Sequence, residues 1–138
     1  MTSAQVNPVR ILIADDHELM RRGLRSILAT RPDWEVCGEA VDGSDAIEKT
    51  KLLRPDILVL DISMPRGNGL EVARAVRRDF PQTQVIILSQ YEESEMRPYA
   101  LEAGARGYVS KSEASRQLLA AIESLIADKS FAAHPQSN

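Results

Sequence analysis

The sequence predicts an α/β domain: a single doubly wound, five-stranded parallel sheet with helices on both faces. Three observations predict it. The runs VRILIA (9–14), DILVLD (56–61) and QVIILS (84–89) are apolar through their centres instead of alternating, as strands covered on both faces are. Segments with apolar residues at helical spacing lie between them. Strand and helix patterns then alternate along the whole chain as βαβαβαβαβα, the order that gives one parallel sheet with right-handed crossovers.

The first strand, 9–14, leads into HELMRRGLRSILAT, where Met20, Leu24, Ile27 and Leu28 share one face and Arg21, Arg22 and Arg25 fall mostly on the other. WEVCGEAV (34–41) is a weaker strand. The helix over 43–53 has Ser44 or Asp45 available as an N-cap and is expected to bury Ala46, Ile47 and Leu53. The strand 56–61 precedes a helix over 68–79 that groups Leu70, Ala73 and Val76. After the strand 84–89, a less apolar helix over 93–103 ends at Gly104, a suitable C′ residue. RGYVS (106–110) is the last strand, and 113–127 place Leu118, Ile122 and Leu125 on one stripe with Leu119 and Ile126 beside it. Residues 1–8 read as a flexible N-terminus, 9–128 as the domain, and 129–138 (KSFAAHPQSN) as a linker or tail.

The 138 residues suit one domain with a core large enough to fold alone. Hydrophobic residues make up 43% and charged residues 27%, an ordinary globular composition. A formal net charge of −3 argues against a nucleic-acid-binding domain, which carries a basic excess. Cys37, the only cysteine, cannot form an internal disulfide. No signal-peptide layout and no apolar stretch of membrane-spanning length is present. A soluble cytoplasmic protein with no membrane partner is the expectation.

Ligands of doubly wound sheets bind at the carboxyl ends of the strands. Here the first strand ends in Asp15 and Asp16, the third in Asp61 and the fourth in Ser89, and Lys111 follows the fifth. If the strand order is 2-1-3-4-5, the three acids meet, with Ser89 and Lys111 flanking them. Like charges at about 4 Å repel by roughly 1 kcal/mol in water and about 4 kcal/mol at a protein surface, so such a cluster calls for a cation. Oxygen-only ligands suit Mg²⁺. A carboxylate so placed can attack phosphorus and become an aspartyl phosphate, whose oxygens a metal, a lysine and a hydroxyl would neutralise.

With the acid pair after the first strand, LVLDISMP around Asp61, a hydroxyl after VIIL, and GYVSK ending in Lys111, the chain resembles the receiver domain of two-component response regulators from about Val9 to Asp128. IADDHELMRRGL, AGARGYVSK and LLAAI are most similar to the subfamily with helix-turn-helix (LuxR-type) transcriptional output. The resemblance implies the flavodoxin/CheY-like strand order 2-1-3-4-5. It implies that Asp61 accepts a phosphoryl group from a sensor histidine kinase. It implies that Asp15, Asp16, Asp61 and the backbone carbonyl of Ser63 hold Mg²⁺, and that Lys111 contacts the phosphoryl group. Ser89 and Tyr108 would then switch conformation and change the shape of the face formed by the fourth helix, fifth strand and fifth helix, a two-state element biased by new charge. The peptide after Lys111 is often cis in that family; with Ser112 following, it would cost about 3–4 kcal/mol in isolation.

Gln90 departs from the family pattern, which more often has a small residue there, and its amide would narrow access to the phosphate. Ser63 and Tyr91, two positions beyond Asp61 and Ser89, are where the family tunes the rate at which water removes the phosphate. His17 reads as a helix-start residue, Cys37 as core, the arginines of the first and third helices as solvated, and Trp34 has no assigned chemistry. An aspartyl-nucleophile phosphatase is the competing reading, but it needs a second acid two residues after the nucleophile, where this chain has Ser63. A receiver that no longer switches, acting only as an interaction module, is opposed by the intact acid, hydroxyl and lysine set. The domain is therefore expected to be no turnover enzyme. DNA would be bound only through a C-terminal domain outside these residues, and the chain reads as part of a longer transcription factor more readily than as a stand-alone receiver. Homodimerisation through helices fits either case.

Overall fold

The computed structural model describes residues 7–64, 68–91 and 93–132. Pro65, most of the segment read as a flexible N-terminus, and the last part of the tail lie outside the described residues. Five parallel strands, β1 (Val9–Ala14), β2 (Trp34–Ala40), β3 (Ile57–Asp61), β4 (Gln84–Ser89) and β5 (Gly107–Ser110), form one sheet in the order β2-β1-β3-β4-β5. The helices are α1 (Glu18–Leu28), α2 (Gly43–Leu53), α3 (Gly69–Asp79), α4 (Glu93–Glu102) and α5 (Ala114–Ala132), with one 3₁₀ turn at Lys111–Glu113.

The unbroken apolar runs follow from this layering. Successive side chains of a strand point to opposite faces. Leu12, Leu58, Leu60, Val85 and Ile87 pack beneath α2, α3 and α4, with Ala46, Val72, Ala73, Val76, Ala100 and Ala103. Their neighbours Ile11, Ile13, Val59, Ile86 and Leu88 pack against α1 and α5, with Leu24, Leu28, Leu118, Ile122 and Leu125. Each such side chain, fully buried, contributes about 1.5–3 kcal/mol, so both layers favour this register. The register slips once, between Ile11 and Leu12, where β2 carries Cys37 as an extra residue opposite β1.

The helix ends refine the sequence expectations. The N-cap of α2 is Asp42, not Ser44 or Asp45: its carboxylate accepts the Asp45 N–H at 2.8 Å, while Asp45 reaches back to the Val41 N–H at 3.0 Å. A carboxylate one residue before the first helical position meets the unpaired amides of the first turn directly, whereas Ser44 and Asp45 already have helical backbone. Thr50 is buried and bonds the Ala46 carbonyl at 2.7 Å, while Ile47 and Leu53 are half-buried. Helix α4 contains Pro98 and ends as expected at Gly104, whose φ of 97° places it in the left-handed region. Gly104 N–H bonds Leu101 O and Ala105 N–H bonds Ala100 O, both at 3.0 Å, closing the helix in a Schellman motif. Helix α5 runs on to Ala132, into the segment read as a tail, because no breaker precedes Pro135. No described peptide bond is cis, the one after Lys111 included; the non-proline cost of the cis form is not met here. Among the described residues, no helix is long and apolar enough to cross a membrane.

Candidate functional site

The strand order puts the ends of β1, β3 and β4 side by side, and each end carries a buried polar side chain: Asp15, Asp61 and Ser89. All three are fixed in the same way, by accepting the backbone N–H two residues further on. Asp15 Oδ1 accepts from His17 at 2.8 Å, Asp61 Oδ1 from Ser63 at 3.0 Å, and Ser89 Oγ from Tyr91 at 2.9 Å. These short side chains reach their own downstream amides as the chain turns out of the sheet.

Lys111, just past β5, reaches across to the acids. Its Nζ lies 3.2 Å from Asp15 Oδ2 and 3.2 Å from Asp61 Oδ2, and its side chain is largely buried. One ammonium thus serves two fully buried carboxylates. Burial pushes the Asp61 carboxyl above its ordinary range, and the Asp15 charge adds to this against the Ser63 N–H and Lys111. Burial alone would lower Lys111; the Asp61 and Asp15 charges outweigh it and hold the ammonium above its usual value. Two acids on one lysine leave the cluster anionic. Although ion-paired with Lys111, Asp15 Oδ2 is buried without a hydrogen bond of normal geometry. That spare acceptor and the hard-oxygen donor set fit a divalent cation. Ligand atoms of Asp15, Asp16, His17 and Asp61 all lie within 4.8 Å of one another, so the cluster could hold a metal ion.

Asp16 is partly exposed, and the His17 ring sits between the acids, with Nδ1 3.3 Å from both Asp15 Oδ1 and Asp16 Oδ1. Ser63 meets Asp61 through its N–H. Tyr108 is buried, and its hydroxyl donates to the Tyr91 carbonyl at 2.9 Å. Tyr91 and Gln90 are exposed beside Ser89. The structure therefore brings Asp15, Asp16, Asp61 and Lys111 into one cluster and links Ser89, Tyr91 and Tyr108 in a second set alongside.

Sequence reasoning missed Arg21. Its sequence context groups it with the solvated arginines, yet its side chain is only 14% exposed. One guanidinium nitrogen donates to the Asp15 carbonyl at 2.7 Å and Nε to Glu39 at 2.8 Å, and Arg25 pairs with the same carboxylate. Burial pushes Glu39 up, but the hydrogen bonds from Arg21 and Arg25 prevail and hold it below the usual carboxylate range. Nothing in the local sequence says which carbonyl a long guanidinium will reach. Arg22 and the α3 residues Arg74, Arg77 and Arg78 are exposed, as expected.

Comparison with known proteins agrees with this geometry. The sequence model of the response regulator receiver domain matches residues 11–123. The transcriptional regulatory protein DegU of Brevibacillus brevis is 34% identical over 130 residues, 94% of this chain and 55% of that protein. The oxygen regulatory protein NreC of Staphylococcus haemolyticus is 36% identical over 124 residues, 89% of this chain and 57% of that protein. The chain thus spans about half the length of these curated relatives. Among solved structures, a LuxR-family two-component response regulator from Aurantimonas sp. superposes with a TM-score of 0.83 at 34% identity, covering 88% of this chain and 87% of that one. The receiver domain of NarL from Mycobacterium tuberculosis gives 0.81 at 34% identity, covering 87% and 97%. With three acids, a lysine and a hydroxyl at the carboxyl edge of this sheet, and a match running through nearly all of it, the chain belongs to the response regulator receiver domains.

Proposed function

We propose that Asp61 is the phosphoacceptor and that the domain takes its phosphoryl group from a phosphohistidine of a sensor kinase. The observation that carries this reading is Lys111 placed between Asp61 and Asp15, 3.2 Å from each. A carboxylate at the end of a central strand, with a buried cation beside it, is set to become an acyl phosphate. In the transfer, an Asp61 carboxylate oxygen bonds to phosphorus and the phosphorus–nitrogen bond breaks. The imidazole of the kinase leaves with the electron pair and is protonated from solvent. Lys111 exchanges a carboxylate partner for phosphoryl oxygens, a charge-assisted contact. The carboxylates of Asp15, Asp16 and Asp61, with the Ser63 carbonyl, would hold Mg²⁺, which when bound offsets the charge gathered by acids and phosphate.

The second set of contacts supports an output route. Ser89 lies beside the acid cluster and shares Tyr91 with Tyr108 through two hydrogen bonds. A phosphoryl group that draws the Ser89 hydroxyl away from the Tyr91 N–H would free that peptide and, with it, Tyr108. Ser63, Gln90 and Tyr91 border this space and are the residues to tune phosphate lifetime. The domain is residues 9–128, with 129–138 leading toward an output segment. That two relatives are named regulatory proteins and are about twice as long supports transcription control through a DNA-binding domain outside this chain. A cytoplasmic location and self-association belong to the same proposal, as does the absence of turnover on a free metabolite.

The test is intact mass after incubation with a small phosphodonor such as acetyl phosphate, with and without Mg²⁺. We expect one added phosphoryl group that requires both Mg²⁺ and Asp61. Phosphoryl gain by the Asp61→Ala variant at the wild-type level would overturn the assignment.

A further inference from the structure

We propose that His17 adds a nitrogen donor to the acidic cluster, so that this receiver prefers late first-row divalent cations such as Ni²⁺ over Mg²⁺ far more than an all-oxygen site would. The inference rests on reading the cluster as a divalent-cation site. His17 stands at the N-cap of α1, where a side chain commonly bonds the first-turn amides, yet its ring makes no such bond. Nδ1 instead faces the acids, 3.3 Å from Asp15 Oδ1 and 3.3 Å from Asp16 Oδ1. Its side chain is 69% exposed, so the ring can adjust to a ligand with little repacking. Ligands of one cation at about 2.1 Å sit up to about 4.2 Å apart. The four ligand atoms here, all within 4.8 Å, need to close by only a few tenths of an ångström each. Asp15 Oδ2 is buried and faces the Lys111 ammonium at 3.2 Å, so a cation entering the cluster would take over a charge that one lysine now shares between two acids.

Donor chemistry then sets the preference. Mg²⁺ takes oxygen and keeps its waters, and gains little from imidazole. Imidazole nitrogen suits nickel, copper and zinc, and affinity rises along the first row toward copper. A cation held on His17 Nδ1 and the two carboxylates would occupy the pocket in competition with Mg²⁺, making phosphoryl uptake sensitive to such metals.

The experiment is calorimetric titration of the full, tag-free chain with Ni²⁺ and, separately, with Mg²⁺. The chain's only other histidine, His134, is removed by His134→Ala in both proteins compared, and His17→Ala is added in one of them. We expect His17→Ala to lower the ratio of Ni²⁺ to Mg²⁺ affinity at least tenfold. An unchanged ratio overturns the inference, whether both affinities stay or fall together, since His17 then only shapes the acids. If the chain carrying His17 binds no Mg²⁺, the underlying reading of the pocket fails instead, a result distinct from any change in the ratio.

Discussion

The Tyr108 hydroxyl donates a 2.9 Å hydrogen bond to the carbonyl of Tyr91, whose own N–H is bonded at 2.9 Å to Ser89. A side chain of the outermost strand on this side of the sheet is thereby tied through one residue to the end of β4. Tyr108→Phe removes this bond and leaves the ring's packing intact. The expected cost is about 1 kcal/mol, the net worth of one hydrogen bond, read as a lower midpoint in urea. Phosphoryl uptake at Asp61 should persist in this variant, because the bond removed runs to Tyr91 and not to the acids; its loss in the mass assay would show that the two sets of residues are not separable.

Asp61 gives a pH prediction. Burial, with Asp15 adding, raises its carboxyl above the ordinary 3.8. The native state therefore holds this proton more readily than the unfolded chain does. The Asp61 contribution to stability is present in full below 3.8 and is lost as the pH rises through the raised native value. Asp61→Asn removes the charge at constant shape and leaves Lys111 to Asp15. In metal-free buffer at pH 7 the variant should be more stable than wild type by about 1 kcal/mol, the low end of what replacing buried ions gives. That advantage should vanish on acidification. Urea midpoints measured across the pH range check it, and a gain that persists at low pH would contradict the charge argument.

Lys111 is the converse case. Lys111→Ala leaves Asp15 and Asp61 buried without their counter-charge, and removal of one partner of a buried pair costs about 3–5 kcal/mol. Protonation of Asp61 relieves part of this, so we expect the lower end at pH 7 and less in acid. Because an ammonium competing for the acids is gone, Mg²⁺ should bind more tightly to the variant, while phosphoryl uptake slows. Calorimetric titration and the mass assay read these two effects with opposite signs.

Gln90 is exposed directly after Ser89. Gln90→Ala opens the approach of water to the phosphate, and dephosphorylation should speed up by about twofold or more. Equal phosphoryl half-lives for the two proteins would rule this out.

The legibility of the sequence tracks the range of the forces involved. The limits of β1 and β4 were readable because burial on both faces leaves an apolar run with sharp ends, at Val9 and Ala14 and at Gln84 and Ser89. The cluster of Asp15, Asp61 and Lys111 followed from strand order, since residues at the ends of adjacent parallel strands must meet. What escaped depends on reach and rotamer. Asp42 rather than Ser44 or Asp45 caps α2 because the chain enters the helix two or three residues before either of those positions. Arg21 looks like its solvent-facing neighbour Arg22, and only folding shows that it spans from α1 to the Asp15 carbonyl. His17 was readable as a helix-start residue; the direction of its ring was not.

Pro98 has a consequence for motion. It supplies no amide to α4, so the Ser94 carbonyl lacks its usual partner four residues on. The helix rests on the sheet through Ala100, Ala103 and the half-buried Met96, small or pliable side chains that lose little when they shift. In hydrogen–deuterium exchange, the amides of α4 should exchange well before those of α5, which is anchored by Leu118, Ile122 and Leu125. The segment beside the proposed phosphoryl site would thus open at a lower free energy than α5, and hence be the more easily repopulated of the two by a new charge at Asp61.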